Sequence, residues 1–194
     1  SDPVDEFIRR GCLTYGPNDP QHITARPTAD IAETNVWAAA TTASRDALRR
    51  FASHTSVAGG PFNWEPLMYL CYARVAATEA EVLACARHLL DAGADPNVGY
   101  LWHGLPTPFT ALTGVFGGGE GDQPHHPHWR ALARLLLERG ADANDAQTLY
   151  NRQFEPGTAH LELLVEFGLG QGDGGTWQTR LASQNETTVK MGRR

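Results

Sequence analysis

The chain has 194 residues, 41% hydrophobic and 20% charged, which gives one domain a full core and is unlike a disordered segment. Its formal charge of −6 leaves no basic excess for phosphates, excluding a general nucleic-acid or anionic-membrane binder, and no run of about 18 apolar residues offers a membrane span. Cys12, Cys71 and Cys85 are odd in number and lack metal-ligand spacing; Cys71 and Cys85, among apolar helical residues, read as buried free thiols of a reducing, cytoplasmic compartment.

In chain order, Ser1 to Glu6 carries neither the basic region nor the apolar core of a signal peptide. Asp2-Pro3 opens a helix bearing Val4, Phe7 and Ile8, expected to shield the next unit from water. Asn35 and Ser44 read as N-caps of a helix pair over 35–43 and 44–54, with Leu48, Phe51 and Ala52 facing inward. Pro66 and Pro108 each suit a first helical turn, where the missing N–H would be unpaired anyway. Thr78-Glu79-Ala80-Glu81 has the form of a capping box, followed by Val82, Leu83, Ala86, Leu89 and Leu90 at helical spacing. A long finger runs from Val98 to Pro106, and a Gly- and His-rich insertion from Gly117 to His128. A short helix begins at Leu149-Tyr150-Asn151, and a fuller one covers His160 to Phe167. Gly93, Gly140 and Gly168 sit just past three helices, where a left-handed cap wants no Cβ. The polar stretch Gly172 to Arg194 contains Trp177 and Leu181, expected to cap the last unit.

Two segments are near-copies. Leu89-Leu90-Asp91-Ala92-Gly93-Ala94-Asp95-Pro96-Asn97 recurs 47 residues later as Leu136-Leu137-Glu138-Arg139-Gly140-Ala141-Asp142-Ala143-Asn144. With Pro66 and Pro108 opening the preceding helices, this resembles the ankyrin repeat, whose second helix ends in Leu-Leu-x-x-Gly-Ala-Asp-x-Asn. The run from Gly104 to Gly117 is similar to divergent ankyrin proteins of bacteria. The resemblance implies an all-α fold, an ankyrin-type helical repeat solenoid of about four helix pairs with an N-terminal capping helix. It divides a single domain over 1–170 into a cap (1–34), a degenerate repeat (35–63), two clear repeats (64–104 and 105–144) and a short one (145–170), with 171–194 as a C-terminal cap or tail. A regular repeat has about 33 residues. The 47-residue spacing therefore holds roughly 14 more, divided between the finger and the insertion.

The resemblance implies that Asp95, Asn97, Asp142 and Asn144 hold turns and do no chemistry. It also implies partner contact through finger tips and the concave face. That face would present Tyr69 and Tyr72 of one helix, continuous with Trp64 as an aromatic wall, against the alternative of ordinary helix packing. On the finger, Tyr100, Trp102 and His103 read as a partner anchor, or else Trp102 folds back onto Phe62 or Trp64. Tyr150 and Arg152 complete the candidate binding set. The cluster His125-His126-Pro127-His128, with Glu120 and Asp122 nearby, lacks a shared helix face and reads as a solvated, flexible loop; no metal and no cofactor are expected.

The leading expectation is a recognition scaffold for a protein or peptide. The second is a small-molecule-binding protein or enzyme whose aromatic groove is roofed by the finger and the insertion. Its acid and base groups would come from His103, Asp145, His160 and Glu65, with Asn151 and Arg152 orienting an anion. No nucleophile motif accompanies them, so the balance leans away from an enzyme. An end-to-end assembly module is the third.

Overall fold

The computed structural model describes residues 2–16 and 25–172. Helix α1 (Pro3–Gly11) begins where Asp2 accepts a hydrogen bond from the Val4 N–H, with Pro3 in the first turn. A short α2 (Ala29–Ala32) precedes α3 (Val36–Thr41), which Asn35 caps, and α4 (Arg45–Arg49), which Ser44 caps. Next come α5 (Pro66–Tyr72) and α6 (Glu79–Asp91); Thr78 and Glu81 form the reciprocal capping box at the start of α6. The remaining helices are α7 (Ala111–Phe116), α8 (Trp129–Glu138), α9 (Ala146–Arg152) and α10 (Ala159–Glu166).

The helices form two rows. In one, α3 packs on α5, α5 on α7 and α7 on α9; in the other, α4 packs on α6 and α6 on α8. Leu48, Leu67, Leu70, Leu89, Leu112 and Leu132 fill the space between rows and are almost wholly buried. Small residues set the spacing within a row. The Ala38-Ala39-Ala40 run is fully buried in α3, and a Cβ on Gly114 of α7 would fall inside the Tyr72 ring, 2.1 Å from its nearest atom.

The duplicated motif holds the turns after α6 and α8. Asp95 accepts from the Asn97 N–H and Asp142 from the Asn144 N–H. Asn97 then reaches the next turn, donating to the Gly140 carbonyl and accepting from the Asp142 N–H, while Asn144 accepts from the Gly170 N–H.

The expectation of an all-α ankyrin-type solenoid is corrected by a two-stranded antiparallel sheet. Strand β1 (Gly99–Leu101) pairs with β2 (Pro108–Thr110), Tyr100 opposite Phe109, so the fold is mixed α and β. The finger closes on itself because Tyr100 and Phe109 make an aromatic cross-strand pair, their ring centroids 5.6 Å apart. Gly99 lets the strands meet: a Cβ there would lie 2.7 Å from the Phe109 carbonyl oxygen. Pro108 consequently belongs to a strand and not to a first helical turn. Thr110 takes over as N-cap of α7, exchanging hydrogen bonds with Thr113. Two predicted starts and lengths also shift: α9 begins at Ala146 behind the cap Asp145, and α4 ends at Arg49 before a 3-10 turn at Ala52–His54. The capping role expected of Trp177 and Leu181 lies outside the described residues.

Candidate functional site

After α1 the chain runs beside the C-terminal end of α5. The Leu13 N–H donates to the Tyr72 carbonyl, and the Arg74 N–H donates to that of Gly11. This course carries Tyr15, a residue with positive φ, to α7, where its hydroxyl donates to the Thr113 carbonyl at 3.0 Å. Its ring meets Phe109 edge-on, with centroids 5.1 Å apart.

The finger folds back over this segment. Trp102 donates its indole N–H to the Thr14 carbonyl at 3.2 Å and stacks on Phe109. It is Tyr100, one turn of the pleat earlier, that packs on Trp64. His103 sits in the left-handed region (φ 48°), exposed, its ring edge-on to Trp102.

The insertion packs against the core at Gly117, Gly118, Gly119 and His126, while Glu120, Gly121, Asp122, Pro124 and His125 face solvent, so its reading as a solvated loop holds only for its middle. Gly117, Gly118 and Gly119 have φ of 62°, 79° and 80°, three consecutive positions that only glycine fills without strain. They turn the chain into a bridge between Gly118 and Gln123, and the Gly119 N–H donates to the Asn151 carbonyl at 2.7 Å. His126 is 4% exposed; its backbone N–H donates to Val115 and its ring accepts from the His128 N–H. His128 in turn bonds the Ala77 carbonyl. With their rings committed to separate partners, the histidines do not converge. Among the described residues no three His, Cys, Asp or Glu gather as metal ligands.

Arg74 underlies the insertion. It is 4% exposed, and its guanidinium donates to the carbonyls of Cys71, Ala73, Gly114 and Pro124. Burial lowers its pKa, but all these partners are backbone dipoles that favour the cation. The sequence reading missed it, although an arginine set between Ala73 and Val75 was a signal.

Between finger and insertion lies a half-open cavity of roughly 880 Å³. Tyr15, Trp102, Phe109 and Tyr150 supply aromatic faces, and Gln123, Gln147 and Asn151 supply amides. Glu120 stands on the rim, its carboxylate accepting from the Tyr150 hydroxyl at 2.8 Å. Asn151 is 3% exposed, and its Oδ1 accepts from Gln147 Nε2 at 2.8 Å. Among the described residues its Nδ2 has no partner within ordinary hydrogen-bond geometry, although it interacts with the Tyr15 hydroxyl beside it. A buried donor left in this condition costs about 1–3 kcal/mol. An acceptor entering the cavity would recover it.

Of the predicted binding residues, Trp102 and Tyr150 reach this cavity. Trp64, Tyr69 and Tyr72 do not form an exposed wall: Trp64 is 6% exposed and both tyrosines are fully buried. The wall exists, but inside. Tyr69 donates to the Gly59 carbonyl and accepts from the Phe62 N–H, Tyr72 donates to the Thr110 carbonyl, and Trp64 packs against both rings and Tyr100. The two hydroxyls are satisfied by main chain, that of Tyr69 in the turn before Trp64 and that of Tyr72 at the end of β2, so burial costs them little. Arg152 is also buried, paired with Glu155 at 2.8 Å and reaching the Phe116 carbonyl.

The proposed acid and base groups each have surroundings of their own, Asp145 at the start of α9, Glu65 at the start of α5, His103 beside Trp102 and His160 on Trp129. Asp145 accepts from the Thr148 N–H and the Thr110 hydroxyl, a structural cap whose burial raises its pKa. Glu65 occupies the N-cap position of α5, and burial raises it too, with Asp95 adding to the effect. His160 stacks on Trp129 at 3.9 Å and abuts Phe116 and His125.

His160 yields a pH prediction. Burial, aided by the Arg152 charge, drops its pKa from 6.5 to about 3. The folded protein thus keeps this ring neutral while the unfolded chain protonates it, so its contribution is intact above pH 6.5 and is lost as pH falls toward 3. The slope approaches about 1.4 kcal/mol per pH unit. Replacing His160 by Phe, which keeps the stack, should remove about 2 kcal/mol of the stability lost between pH 7 and 5. Urea midpoints of both proteins at the two pH values test this; equal losses would refute it.

No family model, curated protein or solved structure matches the chain.

Proposed function

We propose that this protein is a recognition module that binds an extended peptide segment of a partner protein. The observation that carries the reading is the cavity itself, built from α9, the insertion, the finger and the segment around Tyr15. Rings on its walls offer contact area at low entropic cost, and the amides of Gln123, Gln147 and Asn151 offer hydrogen-bonding groups of the kind an extended backbone needs. Asn151 Nδ2 offers a donor for a peptide carbonyl. The duplicated Gly-Ala-Asp-x-Asn turns support kinship with ankyrin repeats, in a chain whose finger has become a sheet and whose binding surface has moved to the inserted segments.

No helix among the described residues is long and apolar enough to cross a membrane. The buried free thiols of Cys12, Cys71 and Cys85 fit a reducing, cytoplasmic setting.

A second reading has one observation in its favour: 880 Å³ falls within the range of small-ligand sites, so a small apolar molecule would also fit. Panning a displayed library of random nonapeptides separates the two. The peptide reading expects a consensus that binds the wild type, with Trp102→Ala weakening it at least tenfold as the stacked wall is lost. Circular dichroism checks that the variant is folded. Failure to enrich any peptide defeats this reading and leaves the small-molecule one.

A further inference from the structure

We infer that the cavity selects a basic side chain, arginine or lysine, within the bound peptide, a specificity that rests on the peptide reading above. Among the described residues that line the cavity, Glu120 carries the only carboxylate and none is a lysine or arginine. The Tyr150 hydroxyl holds one carboxylate oxygen at 2.8 Å, which fixes the charge over the opening. A guanidinium or ammonium group entering below Glu120 would lie among the rings of Tyr15, Trp102 and Tyr150, whose faces attract cations. Acidic side chains meet the reverse: a fixed negative charge, no cation among the described lining residues, and a protein of net charge −6.

The second point of attachment stands beside the first. A Cβ placed on Gly119 would lie 3.8 Å from Asn151 Cγ, so the buried amide is one residue along the chain from Glu120. Asn151 Nδ2 donates to the peptide carbonyl while Glu120 takes the charge. Gln147 occupies its Oδ1, and the nitrogen, beside the Tyr15 hydroxyl, is left without a hydrogen bond that meets ordinary geometry among the described residues. Two fixed groups of opposite hydrogen-bonding sense thus set both the register of the peptide and the sign of its side chain.

The test pans one random nonapeptide library against wild type, E120Q and E120K. Glu120 is exposed, so neither substitution disturbs packing. Wild type is expected to enrich arginine or lysine at one position, and the consensus peptide to bind E120Q about tenfold more weakly, roughly 1.4 kcal/mol. E120K should enrich aspartate or glutamate at that position. A wild-type consensus without a basic position, or equal affinity of E120Q, overturns the charge selection and leaves peptide recognition standing. If wild type enriches nothing, peptide recognition itself fails and the charge selection falls with it.

Discussion

Arg74→Met is expected to lower the free energy of unfolding by about 3 kcal/mol and to loosen the insertion first. Replacing a buried ion by an apolar side chain often costs little, because the desolvation penalty disappears along with the partner. That relief is limited here, since the partners are main-chain carbonyls of Cys71, Ala73, Gly114 and Pro124 and cannot be removed. Each acceptor left dry costs about 1–3 kcal/mol, which outweighs the charge that no longer needs burying. Lysine is a poor substitute, offering one donor centre where the guanidinium spreads five N–H groups over two sides. Arg134, paired with Glu166 in solvent, supplies the control: its Met variant should keep a urea midpoint close to that of the wild type. Urea unfolding gives the energies, and amide exchange at Gly118 and His126 reports the insertion. A wild-type midpoint for Arg74→Met would refute the account.

The local parts of the fold were legible. Asp2, Asn35, Ser44 and Thr78 cap helices as their side chains suggest, and Gly93, Gly140 and Gly168 follow helices with positive φ. These features depend on residues within four positions of one another, which a single sequence displays. What depended on distant partners was not legible. Tyr72 looks solvent-facing until its hydroxyl finds Thr110, 38 residues away, and Trp102 finds Thr14 across 88. The strands are three residues each, and one begins with Pro108; nothing so short declares a pairing. The candidate cavity lies between the finger and the insertion, both visible in the sequence as extra length, but the joining residue Tyr15 gave no sign there. The glycine run was misread most instructively. Consecutive glycines suggest freedom, yet here each satisfies a specific backbone geometry, and the run encodes a shape.

Gly118→Ala puts that shape to the test. At φ 79° an alanine is strained, and its Cβ would stand 2.4 Å from the Asn151 carbonyl oxygen, far inside contact distance. Backbone of α9 cannot yield as a flexible side chain would, so the insertion must lift. Lifting breaks the 2.7 Å bond from the Gly119 N–H to that carbonyl and weakens the pairing of Gly118 with Gln123. Strain of about 1–3 kcal/mol and a lost hydrogen bond of about 1 kcal/mol give an expected destabilisation of about 2–4 kcal/mol. The effect on recognition goes further than the effect on folding. Glu120, carried on the same turn, leaves Tyr150 and no longer stands beside Asn151. At temperatures where the variant stays folded, it should therefore bind the wild-type consensus peptide more weakly than E120Q does, because both attachment points separate at once. Gly157→Ala is the matched control: it also has positive φ, but nothing lies within 4 Å of its added Cβ, so it should lose stability through strain alone and keep full peptide affinity.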